Sequence, residues 1–444
     1  MKKIFIFMIA LLLSQQYLSA QNTTRFYSLS NIGDKQTQKI MVRPTNPREQ
    51  VILSREQNRS FFFLIPADRS DTVKYVEIDT EFEVHDFDLY GDTIIFCGRK
   101  IGESRDSGFF GVATFQTLFN SNPSWIPIVD NDIMLLEKIR LYRESTSLYA
   151  ACYAGHYALI YKYNGNFLNI ASWRYKLGKY ISQNTQDTVI ATDMTVTETS
   201  VLYLGYDQNN NNTKLFKVER GVSNNSIMYR IVVFPSSYGI GGVIEQMNKD
   251  TVIIAVADWS SFDTYVYRMY INNLYNISRQ QLPGHHNKTF PIDIVYNSTE
   301  KKILFLNQSS LNAFQPNRRD ALYELEAFPS GTTYNAKVVY DPTIPYENFV
   351  YNSIDLISKN KAIVCGSNCD YNNRNILFFE QTINRMSNAT TCLKNTTESI
   401  TVSTINLYTQ PFEVTNNYFM NNTTYLGTRT GLYSINFINV SCQQ

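Results

Sequence analysis

The sequence predicts an all-β chain folded as a single β-propeller. About eight blades are expected, with seven the alternative, in a ring closed by a strand from the N-terminus. Three observations predict this. The 444 residues lean to Tyr (31) and Phe (27), and the turns are rich in Asn; this composition favours strands and polar hairpins. A strand–turn–strand–loop–strand unit recurs about every 50–62 residues, too long a period for a β-helix coil. No helical periodicity separates the copies, and repeated strand units without helices suit a propeller better than a sandwich.

The clearest unit runs from Val84 to Phe115. Val84, Phe87 and Leu89 alternate with His85, Asp86 and Asp88, which describes a half-buried strand. Gly91-Asp92 turns the chain into Thr93–Cys97, a run apolar on both faces, as a strand between two layers should be. After a polar loop, Gly108–Phe115 returns. Three such strands cannot bury both faces alone, so they must stack on copies of themselves.

In chain order, residues 1–20 read as a secretory signal. Lys2 and Lys3 precede the apolar Ile4–Leu13, and Leu18-Ser19-Ala20 offers cleavage before Gln21. The apolar run is too short for a bilayer, which needs about twenty residues, and no later segment reads as a transmembrane helix. The propeller domain is then 21–444. Thr24–Leu29 is free to close the ring, and closure removes exposed sheet edges. Four strands between Lys39 and Asp79 (KIMVR, QVILS, SFFFLIP, TVKYVEI) make the first unit. The buried second strands of the rest are 92–98, 147–153, 200–206, 250–257, 301–307, 361–367 and 423–428. The last of these gives the eighth blade.

Forty basic and 39 acidic residues are interspersed, which argues against a nucleic-acid surface. Of six cysteines, Cys97, Cys152 and Cys365 share one strand position and are expected to be buried and unreactive. Cys392 and Cys442 are the better disulfide candidates, and no spacing fits zinc.

Innermost strands line the channel of a propeller. Counting back from the end of each second strand lands on Asp86, Asp193 and Glu245, with Asp355, Asp293 and Glu413 close to register. Such a ring of oxygens could take a hard cation, Ca²⁺ above all. It could supply an acid/base pair for glycoside chemistry, or it could accept hydrogen bonds from neighbouring backbone N–H groups. His85, beside Asp86, is the one histidine placed for lyase chemistry. The loop 207–213 (DQNNNNT) lacks the Gly and Glu of a calcium loop and reads as a hairpin tip. Asp258, Trp259, Phe262 and Asp263 form a loop suited to a sugar, with a ring for its apolar face and carboxylates for its hydroxyls; the alternative is a Trp tucked over the blade end. Trp125 and Trp173 read as packing.

With its signal segment, Tyr/Asn-rich composition and turn-DT-apolar-CG pattern, the chain resembles the exported propellers common in Bacteroidetes. That resemblance implies a periplasmic, cell-surface or extracellular setting, often alongside glycan handling, and carries over no catalytic residue. Asp-Thr-aliphatic triplets at Asp71, Asp92, Asp187 and Asp250 resemble acceptors of O-linked glycans in that group, though Asp-Thr is also good turn chemistry. The expectation is a monomeric, non-catalytic binding propeller for a glycan or envelope protein. The alternatives are a polysaccharide lyase or glycosidase working through the channel carboxylates and His85, and a structural subunit of an envelope assembly.

Overall fold

The computed structural model describes residues 25–29, 35–46, 49–67, 72–102, 105–130, 134–144, 147–154, 157–164, 173–180, 189–207, 212–219, 228–234, 242–258, 263–282, 289–309, 321–342, 349–368, 376–382, 393–406, 409–413, 422–424, 431–435 and 438–439. The chain enters on β1 (Arg25–Leu29) and then lays down four-stranded antiparallel units, each running from channel to rim. Blade 1 is β2 (Gln36–Val42), β3 (Gln50–Glu56), β4 (Arg59–Ile65) and β5 (Val73–Glu77). Blade 2 is β6 (Phe82–Tyr90), β7 (Thr93–Lys100), β8 (Ser107–Thr114) and β9 (Ile126–Asp130), with one helical turn, α1 (Phe115–Leu118), before the last strand. Blade 3 is β10 (Lys138–Glu144), β11 (Ser147–Ala154), β12 (Tyr157–Asn164) and β13 (Trp173–Tyr180). Blade 4 is β14 (Val189–Val196), β15 (Ser200–Asp207), β16 (Asn212–Glu219) and β17 (Met228–Val233). Blade 5 is β18 (Gly242–Asn248), β19 (Thr251–Asp258), β20 (Asp263–Tyr270) and β21 (Asn273–Leu282). Blade 6 is β22 (Thr289–Asn297), β23 (Lys302–Ser309), β24 (Ala321–Glu326) and β25 (Thr333–Pro342). Blade 7 has β26 (Phe349–Ser358), β27 (Lys361–Asn368) and β28 (Ile376–Thr382), and β1 pairs with β28 as its fourth strand.

The innermost strands touch one another in a closed cycle, β2 to β6, β10, β14, β18, β22, β26 and back to β2. That cycle is the ring, and the N-terminal strand closes it as the sequence predicted. Among the described residues the blades number seven, the alternative count. Among the described residues, the strands expected to form an eighth blade serve elsewhere. After blade 7 the chain travels back round the rim as β29 (Leu393–Asn406), β30 (Thr409–Glu413), β31 (Asn422–Thr424), β32 (Gly431–Ile435) and β33 (Ile438–Asn439). β29 pairs first with β25 and then with β21, joining blades 6 and 5 into one nine-stranded sheet. β30 adds to β17, β31 to β9, β32 to β5, and β33 to β1. The chain thus circles the axis forward as blades and backward as an outer belt.

Second strands carry the core. All eight residues of β19 are buried, as expected of a strand covered on both faces. Between blades 1 and 2, Leu53 and Phe62 pack on Phe87, Phe96 and Trp125, and Phe96 and Trp125 lie 5.0 Å apart between ring centroids. Each fully buried aromatic there contributes about 1.5–3 kcal/mol by area. Cys97 and Cys365 are buried, as predicted, and in no disulfide, and burial pushes the Cys365 thiol well above its ordinary value. Cys152 lies in β11 opposite Ile139, one position from the level that Cys97 and Cys365 share; Cys369, Cys392 and Cys442 lie outside the described residues.

Two glycines of the repeat unit have specific tasks. Gly91 adopts φ +56° in the two-residue turn between Tyr90 and Thr93, a conformation other L residues resist. At Gly98 a Cβ would stand 1.9 Å from the Glu83 carbonyl oxygen. There β6 bulges toward β7, with the register slipping between Val84 and Asp86. The same slip recurs at Thr37/Lys39, Ala191/Asp193, Pro291/Asp293 and Tyr351/Ser353. A bulge re-aims the side chains next to it, and this one sets what faces the next blade.

Candidate functional site

The residue just after each slip is Lys39, Asp86, Asp193, Asp293 or Ser353. Three of these are aspartates, and all three reach across to the following blade. Asp86 accepts the Ile139 N–H at 3.0 Å, Asp193 that of Ile244 at 2.9 Å, and Asp293 that of Ile354 at 2.9 Å. Two positions on, Asp88 accepts from Leu141 at 2.8 Å and Asp355 from Val42 at 2.6 Å. Each also accepts its own following N–H, Leu89 at 2.8 Å or Leu356 at 2.7 Å. Sequence counting placed Asp293 two residues out and Asp355 one. The structure places Asp293 level with Asp86 and Asp355 level with Asp88. Glu413 belongs to β30 on the rim of blade 4, so its placement among the inner strands is corrected.

Cations fill one half of this wall. Lys39 Nζ donates to Asp86 Oδ1 at 2.8 Å and to the Phe87 carbonyl at 2.6 Å. Arg140 Nη1 donates to Asp86 Oδ2 at 2.9 Å, while its Nη2 stands 3.6 Å from Asp193 Oδ1. Lys138 Nζ donates to that same Asp193 oxygen at 2.7 Å. Burial alone would raise Asp86, which is only 3% exposed, but Lys39, Arg140 and Lys138 hold it down at about 2. Burial opposes charge on Arg140 as well, yet Asp86, Asp193, Asp88 and Glu245 keep it firmly protonated.

The other half, in blades 5 to 7, holds Glu245, Asp293 and Asp355, and none of them forms an ion pair among the described residues. Burial pushes Glu245 up to about 8; Arg140 opposes that, while Asp293, Asp193 and Asp355 reinforce it. Burial also lifts Asp355 to about 6 despite its two backbone donors. Asp293 is raised by burial against the Ser353 hydroxyl, 2.7 Å away, and the Ile354 N–H.

The expected Ca²⁺ trio is thus partly brought together. Asp86 and Asp193 share Arg140, and Glu245 feels the same guanidinium. The oxygens of Asp86 and Asp193 already meet lysine, arginine and backbone N–H groups, and a hard cation between them would have to displace Lys39 or Lys138. Among the described residues no cluster of His, Cys, Asp and Glu is arranged to hold a metal. Sequence reading missed Lys39, Lys138 and Arg140. The signal was there: KIR (138–140) sets two cations at the spacing at which DFD (86–88) sets two anions.

His85 turns away from this wall. Its Nε2 lies 3.3 Å from Glu83 Oε1, and Glu83 is buried against Arg99 at 2.5 Å and against Arg55. Burial, then Arg55 and Arg99, lowers His85 to about 4, so it is neutral at pH 7. In the expected sugar loop, Asp258 ends β19 buried and Asp263 opens β20 directly opposite it. Asp263 accepts from Gln281 at 2.7 Å. Trp259 and Phe262 lie outside the described residues. In the hairpin at 207–213, buried Asp207 pairs with Lys214 at 2.5 Å. Trp125 is core, as expected.

No protein-family model and no curated protein matches the chain. Solved structures do. YCF48 from Cyanidioschyzon merolae aligns with TM-score 0.47 and 8% identity over 80% of this chain and 98% of that one. The WD40 domain of Toxoplasma gondii coronin aligns at 0.43 and 8% over 81% and 87%. The Cps50 (Swd1) β-propeller domain of Myceliophteria thermophila aligns at 0.41 and 8% over 79% and 99%. The strand order and the closed cycle of inner strands make this chain a propeller independently of those likenesses. No helix among the described residues is long and apolar enough to cross a membrane.

Proposed function

We propose that this protein is an exported, non-catalytic binding propeller that presents a glycan or an envelope protein to its loop face. One observation carries the reading: five of the inner-strand carboxylates, all but Glu245 among those described above, are employed in holding blade to blade. Asp86, Asp88, Asp193, Asp293 and Asp355 each accept a neighbouring blade's backbone N–H. A general acid or base must be free to exchange its proton with substrate, and neutral His85 is packed against Glu83 instead. A rigid ring with variable loops is a scaffold on which binding residues collect. The hairpin flanked by Asp258 and Asp263 is the proposed contact, with Trp259 and Phe262 as its aromatic part. Export rests on residues 1–20 and on the resemblance drawn from the sequence.

The test is ligand capture by the purified mature protein on glycan arrays and envelope extracts. Trp259→Ala should weaken capture by roughly 1–3 kcal/mol, the scale of one lost aromatic contact, with the melting temperature nearly unchanged. Turnover of a polysaccharide that Glu245→Gln or His85→Ala abolishes would defeat the binding reading.

A further inference from the structure

The outermost strand of a blade presents a row of N–H and C=O groups that will pair with any suitable strand. Here the chain's own tail fills those rows on β1, β5, β9, β17, β21 and β25. The best-defined piece is β29, where Thr401 is shared between Thr333 of blade 6 and Gln281 of blade 5. Val402 N–H reaches the Thr332 carbonyl at 2.8 Å, and Arg279 Nε donates to Ser403 Oγ at 3.2 Å. Of the tail side chains described, Ile400 alone enters a core, packed with blade 5 and 6 residues, while Ser399 and Thr401 beside it are exposed. At 399–403 the attachment is thus a backbone ladder with a single apolar anchor. Such ladders open more readily than strands buried on both faces.

We infer that the rim is a strand-accepting surface filled in cis by residues 393–439, and that its partner in trans is the tail of a second copy of this chain. The occupant follows from complementarity. The tail already matches six rim strands in register, and every copy carries the same tail. An exchanged tail makes the same pairs in a dimer as in a monomer, which is the condition for swapping an element at low cost. The belt then does two things: it keeps the monomer's edges covered, and it holds a dimer in reserve.

The experiment mixes two full-length preparations carrying different tags, concentrates and warms them mildly, and reads mixed species by native mass spectrometry. Mixed-tag dimers are expected. In the double variant Arg279→Cys, Ser403→Cys, oxidation pins β29 to β21 in cis; the mixed species should be lost and should return with reductant. Ile400→Asp, which loosens the tail, should increase them. Hydrogen exchange on the unmodified chain should show tail amides opening together, ahead of β19 and β23. The inference is overturned if the oxidised double variant mixes as freely as the parent. It is equally overturned if neither the parent nor Ile400→Asp mixes, or if the tail exchanges only with β19 and β23.

Discussion

The junction of blades 2 and 3 is held at the channel, while that of blades 5 and 6 is held at the rim. At the first, Asp86 and Asp88 take two alternate backbone N–H groups of β10, those of Ile139 and Leu141, while Arg140 binds back to Asp86. At the second, the position level with Asp86 is Val243, the residue before the clamped Ile244 amide, and it carries no polar group. Glu245 follows, raised by burial and, among the described residues, in no ion pair. The polar work moves outward: buried Gln280 donates to the Glu326 carbonyl at 2.9 Å and accepts from Tyr334 Oη at 2.6 Å, and β29 runs across both blades. The difference teaches that a propeller needs each seam closed somewhere along its radius, and that a seam without an inner clamp can be closed by a belt.

The sharpest way to break the inner junction is Asp86→Ala. It strips Lys39 and Arg140 of their partner and leaves the Ile139 N–H unsatisfied in a buried place. Uncovering buried charge in this way costs about 3–5 kcal/mol, read as a lower urea midpoint at neutral pH. The outer junction should yield to Gln280→Leu. That change keeps the volume but removes two buried hydrogen bonds, the one from Tyr334 Oη and the one to the Glu326 carbonyl, which keeps the Phe328 N–H, costing about 1–3 kcal/mol in all. A loss at Gln280 as large as that at Asp86 would show the rim to be an equal partner in closure.

The inner junction was legible in the sequence and the outer one was not, for a physical reason. The bulge sits at a constant offset from the second strand, so counting alone found Asp86 and Asp193 on equivalent strands. Lysine and arginine on a strand read as solvent-facing, so Lys39, Lys138 and Arg140 went unnoticed until their distances were seen. The belt deceived the count itself. TTYLGT (423–428) has the apolar centre of a second strand, yet only Asn422–Thr424 is strand among the described residues, pairing at the rim of blade 2. Three-residue strands leave no alternation to read, and nothing local says which distant edge they join.

The smallest effect separates the two halves of the channel by pH. Asp86 is lowered from 3.8 to about 2, so its contribution is complete above its unfolded value and is lost as pH falls toward 2. Glu245 is raised from 4.5 to about 8, so the sign reverses. The folded chain holds that proton more tightly than the unfolded one, and stability declines as pH climbs from about 4.5 toward 8. Asp355, raised from 3.8 to about 6, adds to the decline over the lower part of that window. Glu245→Gln keeps the shape and removes the ionisation, so it should leave stability near pH 5 almost unchanged. Near pH 9 it should add on the order of 1–2 kcal/mol, less than the full shift implies because the side chain keeps some contact with water. Urea unfolding of both proteins across that range gives the answer. A parallel pair of curves would mean that Glu245 ionises as easily in the folded ring as in the open chain. The carboxylates of blades 5 to 7 would then not repel one another across the channel, and the missing inner clamp between blades 5 and 6 would carry no electrostatic strain for the belt to offset.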